Sequence, residues 1–420
     1  MHYLKINDSD KKKIGYLIHL YRTQQFKHLS QNSFLLNEYN EPICTRQTLS
    51  KIEQGVIIKN DSIYEELLKK VNLKFNTDYC IEEFLPTSIF SDLLNACDYY
   101  NLEKLISIYE SYIKQLNPFK EYIFFHEYYE CFKWIYTYYS SFELPTLQST
   151  EYIISLKNII NSNLYEVMMD LVFKKRTISG IYDFSYFDFK NSNSMINRGN
   201  HMMILYNQSK LSEMLDYCQD LEEEYSSKNN YIRLLDIYSL KGFAFSNTEK
   251  EKFEKLVSQI NHTVEAHNSN IPKIKISQLL KNIGLQAFRI DMYDIAINYL
   301  EQYIAMDSPY ANIVGIDLCI SCQKTNKINQ LKSFIQSKEV YKGNSQYENL
   351  LNYFILKYKY QTDNDELSYF IVNKVPIIID NTMGKYKQFF YEELNMLVEQ
   401  TKRYKDLKTY LDSTSDMLPI

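Results

Sequence analysis

Residues 282–304 read NIGLQAFRIDMYDIAINYLEQYI. Two apolar-periodic helical stretches are joined here by a short break. Tyr293 opens the second stretch, and Ala296 follows three positions later. Ala287 and Ala296 place small side chains where two antiparallel helices must approach closely. The same local pattern recurs as YYNLEKL, QSKLSEML, KEKFEKL, TNKINQL, NDELSYF and TKRYKDL. In each, a short polar break precedes an aromatic or aliphatic anchor, with a second apolar residue three positions on. The anchors are Leu102, Leu211, Phe253, Tyr293, Ile328, Leu367 and Tyr404. From Leu211 onward the steps are 42, 40, 35, 39 and 37 residues, and the gap from Leu102 to Leu211 is 109. A recurring pair of helices at this period is the mark of an α-solenoid, so the sequence predicts an all-α fold with a repeat body over 91–420. Residues 120–195 do not fit the period, and no repeat boundaries are assigned there.

Composition agrees. Glycine numbers 9 and proline 8 in 420 residues, too few for a turn-rich β fold or a phosphate-cradling loop. The 39 tyrosines accompany many Asn, Ile and Lys residues and read as coding bias. The length calls for two or more domains. No apolar run approaches the roughly 18 residues of a membrane span. The start, MHYLKINDSDKKKIGYL, lacks the apolar core of a signal peptide, so a cytoplasmic location with reduced cysteines is expected. Charge is uneven. Residues 1–60 hold nine Lys/Arg and five Asp/Glu, while the whole chain carries a net charge of -5. A basic head on an acidic body points to a polyanion met by the head alone.

Within the head, Ile14, Leu17, Ile18 and Tyr21 form one apolar helical stripe. Ser30 is placed to cap a second helix whose Phe34 and Leu35 face inward. Pro42 breaks the chain, and CTRQTLSKIEQG (44–55) follows. Thr45 is placed as its N-cap and Gly55 as its C′ residue. At about 100° per residue, Leu49 and Ile52 share one side, while Gln47, Ser50, Lys51 and Gln54 share the other, flanked by Arg46 and Thr48. Arg and Lys donate to guanine, and Gln pairs with adenine, so this ridge suits the DNA major groove. A further helix follows, with Ser62 and Glu65 at capping-box spacing.

LSQNSFLL…CTRQTLSKIEQG resembles the helix-turn-helix of Cro and phage repressors over about residues 10–73. The resemblance implies a DNA-binding domain over 1–75 and a linker over 76–90. It implies that Gln31 lies near phosphate and an outer base. Thr45, Arg46, Gln47 and Thr48 would open the recognition helix, with Ser50 and Lys51 one turn on. It also implies that Arg22 and Glu53 form the ion pair tying the first helix to the recognition helix. The turn before Arg46 is about four residues longer than the family pattern. In the body, residues 282–304 look like a tetratricopeptide repeat. Asn200, Asn282 and Asp317 stand eleven positions before their anchors, which suits contacts to an extended peptide backbone. Together the two parts resemble the RRNPP group of peptide-responsive transcriptional regulators. That resemblance implies a homodimer on a palindromic double-stranded DNA operator, controlled by a short signalling peptide. The rival expectation is a helical-repeat interaction adaptor, or a repressor controlled by a protein partner.

No nucleotide-binding or esterase motif is present. Cys319 and Cys322 form a lone CxxC on a helical pattern, and His262 and His267 are five apart, off one helical face. No metal, no cofactor and no enzymatic activity are expected, and no membrane partner.

Overall fold

The computed structural model describes residues 5–76, 81–245, 247–267, 271–306, 313–342, 345–379 and 383–414. The first four residues and Cys80 lie outside them. Among the described residues the secondary structure is helical. Two isolated bridges, Leu36–Pro42 and Lys74–Tyr122, stand in place of strands. The expected all-α class holds. The described residues form two compact units, Met1–Arg233 and Leu234–Ile420.

The first unit opens with α1 (Asp8–Gln24), α2 (Gln31–Phe34), α3 (Arg46–Glu53) and α4 (Asp61–Lys70). The stripe Ile14, Leu17, Ile18 and Tyr21 is buried, as are Phe34, Leu49 and Ile52. Asn60 caps α4 by accepting from the Ser62 backbone N–H at 3.2 Å. Ser62 is thus inside the helix, donating its hydroxyl to Asn60, and is not the cap its spacing with Glu65 predicts. An asparagine immediately before the first turn outcompetes it.

There follow α5 (Ile81–Phe84), α6 (Thr87–Asp98), α7 (Leu102–Leu116), α8 (Phe125–Ser141), α9 (Leu147–Ser155), α10 (Ser162–Ile178), α11 (Met195–Asn207) and α12 (Leu211–Ser227), and the boundary between the two units falls inside α13 (Tyr231–Ala244). One continuous apolar core runs from Ile6 to Ile196. Within the expected linker 76–90, of which 77–80 lie outside the described residues, Leu85, Ile89 and Phe90 belong to that core. Lys74 pairs backbone with Glu121 and Ile123 at 2.8 and 2.9 Å. The buried Glu127 of α8 accepts from the Tyr21 hydroxyl and, at 2.5 Å, from the Phe124 N–H. Tyr152 of α9 contacts the same Tyr21 hydroxyl at 3.1 Å. The head and α6–α10 are one packed body.

The period fails over 120–195 because residues 179–194 are not helical. They form an aromatic strap in which Phe184 and Phe189 pack on Phe173 at ring distances of 4.8 and 5.4 Å. A buried polar seam runs beneath it, from Glu166 and Asp170 on α10 to Ser192, Asn197 and Asn200.

The second unit contains α14 (Lys250–His267), α15 (Lys273–Arg289), α16 (Tyr293–Ala305), α17 (Gly315–Lys324), α18 (Ile328–Gln336), α19 (Gln346–Phe354), α20 (Asn364–Asn373), α21 (Val375–Ile378), α22 (Gly384–Thr401) and α23 (Lys405–Thr414). α15 packs on α16, α16 on α17, and α17 on α18 and α19, while towards the end of the unit α20 packs on both α22 and α23, and α22 on α23. Ala287 and Ala296 are fully buried in the α15–α16 pair.

Four of the seven recurring anchors mark one turn; Phe253 and Leu367 are instead the fourth residues of α14 and α20, and Tyr404 precedes α23. Leu102, Leu211, Tyr293 and Ile328 are each the first residue of a helix. Two positions before each stands a left-handed residue: Tyr100, Ser209, Asp291 and Asn326, with φ between 52 and 58°. The residue between donates back five positions, as Met292 N–H does to Ala287 C=O at 2.8 Å. This is the Schellman closure, made here without glycine. Three positions past these anchors, Leu105, Met214, Ala296 and Leu331 are fully buried. The apolar pair recurs because the turn places the second member in the hairpin seam.

Candidate nucleic-acid interface and ligand pocket

Helix α3 is defined at both ends by its own side chains. Thr45 Oγ1 accepts from the Thr48 N–H at 3.1 Å, and the two hydroxyls lie 2.9 Å apart. At the other end Gly55, with φ of 78°, donates to Ile52 C=O at 2.9 Å while Val56 donates to Lys51 C=O at 2.9 Å. A positive φ at this position favours glycine, which has no Cβ to clash.

Two contacts fix how α3 sits. At Gly15 of α1, a Cβ would stand 2.1 Å from the Ile52 carbonyl oxygen, so only glycine permits this crossing. Arg22 grips Glu53 through two parallel bonds, Nε to Oε1 at 2.6 Å and Nη2 to Oε2 at 2.9 Å. The Glu53 carboxylate raises the guanidinium further above its ordinary range. His19 adds a third contact to Glu53 at 3.2 Å.

With Leu49 and Ile52 buried, the opposite face of α3 is left to solvent. Arg46, Gln47, Lys51 and Gln54 are exposed, and Thr48 and Ser50 are half-buried. Thr45 and Thr48 spend their hydroxyls on the cap. Arg46 donates through Nε to Asn32 Oδ1, a partner on α2 that sequence reading missed. Gln31 is the half-buried first residue of α2, behind the Ser30 cap.

The long turn before α3 is a tied hairpin. Ile43 donates to Leu35 C=O at 2.8 Å, and Asn37 to Glu41 C=O at 2.9 Å. Asn37 Oδ1 accepts from the Tyr39 and Glu41 N–H groups at 2.9 and 2.8 Å. Lys70 of α4 holds Leu36 C=O at 2.7 Å. The extra residues are absorbed in a compact projection with Tyr39 exposed at its tip.

The expected peptide contacts divide. Asn200, in the first unit, donates its amide to Asp170 Oδ1 at 3.0 Å and is engaged in the α10–α11 seam. Asn282 and Asp317 are in the second unit. Asn282 is half-buried on α15, next to Lys281. Asp317 lines a cavity of about 220 Å³ with Lys281, Leu285, Tyr347 and Tyr386. The Tyr386 hydroxyl donates to Asp317 Oδ1 at 2.7 Å. Burial raises the Asp317 carboxyl to about 7, against the Tyr386 hydrogen bond and Lys385, which lower it. Burial also lowers the Lys281 ammonium. Lys385 is lowered by burial too, although Asp291 at 2.6 Å opposes this. The pocket thus faces a protonatable carboxyl with an amine across an aromatic lining. Tyr386 lies 69 residues after Asp317, and no local signal announces the pair.

Cys319 and Cys322 are buried in α17, and burial raises both thiols. No protein-family model, curated protein or solved structure matches this chain.

Proposed function

We propose that this chain is a sequence-specific DNA-binding transcriptional regulator whose helical-repeat body senses a short peptide. The observation that carries the reading is the exposed ridge of α3. Gln47 and Lys51 project from a helix whose buried side is held by Leu49, Ile52 and the Arg22–Glu53 pair. The ridge stands on the basic part of an acidic chain. Such a helix is stiff enough to read base edges and offers the donors and acceptors that do so. The turn geometry supports it as well, since the long connection is a tied hairpin and leaves the start of α3 uncovered. Two heads in a homodimer would address the half-sites of a palindrome. For the body, the Asp317–Lys281 pocket supplies an acceptor and a donor at one place, which suits a peptide's polar ends or backbone.

The test is selection of bound duplexes from a random library with the full chain, followed by anisotropy titration. An enriched, two-fold symmetric sequence is expected. Replacing Arg46, Gln47 and Lys51 together with Ala should lower specific affinity at least about a hundredfold, since each base contact contributes about 1–3 kcal/mol. The fold should be unchanged, because all three are exposed. No enriched sequence, or a triple variant binding like wild type, would sink the reading in favour of an interaction adaptor.

A further inference from the structure

A second cavity, of about 470 Å³, lies within the first unit, and its lining includes no residue of α3. Its size falls in the roughly 300–1,000 Å³ range of small-molecule sites. One wall belongs to the head, with Lys5, Asp10 and Lys13 at or near the start of α1. The opposite wall is Phe90, Phe125 and Tyr128 of α6 and α8, each at most 7% exposed. These are rigid aromatic surfaces fixed in the main core.

The charges select the ligand. Lys13 Nζ lies 5.8 Å from the centre of the Phe124 ring. Among the described residues neither Lys5 nor Lys13 ion-pairs with a carboxylate, whereas Lys11 beside them is taken by Asp61 at 2.5 Å. Asp10 is held by Asn7, which donates Nδ2 to it at 2.8 Å. The described lining therefore carries two positive charges and one negative, and its complement is a single negative charge. A phosphate dianion would meet the Asp10 carboxylate and leave the aromatic wall uncovered. A carboxylate on an apolar body satisfies both walls, with its charge to the lysines and its hydrocarbon on the rings.

We propose that this cavity binds a small amphipathic monocarboxylate. The bound molecule would touch α1 on one side and α6 and α8 on the other. Two sources share this chemistry, a short fatty or aryl acid and the free C-terminus of an apolar peptide.

The test is isothermal titration of the full chain with octanoate, N-acetyl-Leu-Phe, octanamide and inorganic phosphate. At least one carboxylate should bind with a Kd of about 1 mM or tighter. Octanamide and phosphate should bind at least about tenfold more weakly, the loss of one charge-assisted contact. Whichever carboxylate binds more tightly identifies the source. The double variant Lys5→Gln, Lys13→Gln should lose the preference for carboxylate over amide. Thr87→Trp, at an exposed position on the cavity lining, should block every probe without changing thermal stability. The proposal is overturned if neither carboxylate binds at about 10 mM. It is equally overturned if the amide or phosphate binds as well as the carboxylates, or if the lysine double variant binds like wild type.

Discussion

Gly15→Ala puts the seating of α3 to a direct test. The added methyl would stand 2.1 Å from the Ile52 carbonyl oxygen, 2.9 Å from its carbon and 3.2 Å from Ile52 Cγ2. A normal carbon–oxygen contact is about 3.3 Å, so the two helices must part by roughly 1 Å. The obstruction is backbone, which cannot rotate away as a side-chain end can. Overpacking of this kind costs typically 1–3 kcal/mol, and the clash with main chain places it at the upper end. The alanine recovers about 1 kcal/mol of helix propensity. A net destabilisation of about 2 kcal/mol is expected. The Arg22–Glu53 pair will resist the separation, so the register of α3 on α1 should be disturbed as well. Trp134 is the only tryptophan and lies on α8 of the same unit, so its fluorescence during urea unfolding reports on that unit. Gly199→Ala is the control, because nothing lies within 4 Å of a Cβ there. It sits mid-α11 and should gain about 0.5–1 kcal/mol. If Gly15→Ala were stabilised by the same increment as Gly199→Ala, the close α1–α3 crossing would be refuted.

Three further outcomes can be checked on the same protein. Asp317 is raised to about 7 by burial, so its contribution to stability is complete below the unfolded carboxyl value and is lost as pH rises through about 7. Asp317→Asn should therefore gain melting temperature relative to wild type between about pH 5 and about pH 8, and a pH-independent difference would contradict the burial. Tyr21→Phe removes one donor from the buried Glu127 and should cost about 1–3 kcal/mol, read by Trp134 fluorescence in urea; an unchanged midpoint would mean the contact is not formed. Lys402→Gly relieves a left-handed lysine with φ of 60° at the end of α22 and should stabilise the second unit by about 1 kcal/mol; destabilisation in thermal melting would place that turn elsewhere.

Local signals were legible wherever the partner is close in sequence. Thr45 caps the helix that begins one residue later, and Gly55 ends it, because both act on backbone within a turn. The anchors Leu102, Leu211, Tyr293 and Ile328 were legible for the same reason, since one turn geometry repeats there, while Phe253 and Leu367 shared the residue pattern without the turn and Tyr404 without opening a helix. Where two local signals compete, as Asn60 and Ser62 do for one helix start, spacing alone chose wrongly. Long-range partners left no trace. Gly15 in KKKIGYL reads as a weak spot in a helix until Ile52 is placed against it. Asn200 read as free for a ligand, yet Asp170, thirty residues earlier, holds it. Asn32, too, is assigned only when the α2–α3 turn brings it beside Arg46.

The core that runs unbroken from Ile6 to Ile196 gives the head no seam. A cut after residue 75 would strip Tyr21 of Glu127 and Tyr152 and bare the apolar side of α1. The head is therefore not a cassette to be lifted onto another protein and expected to stand. Hydrogen exchange in α1 should follow that of α8, since neither opens without the other. Recombination that shuffles segments would have to carry the first eleven helices together.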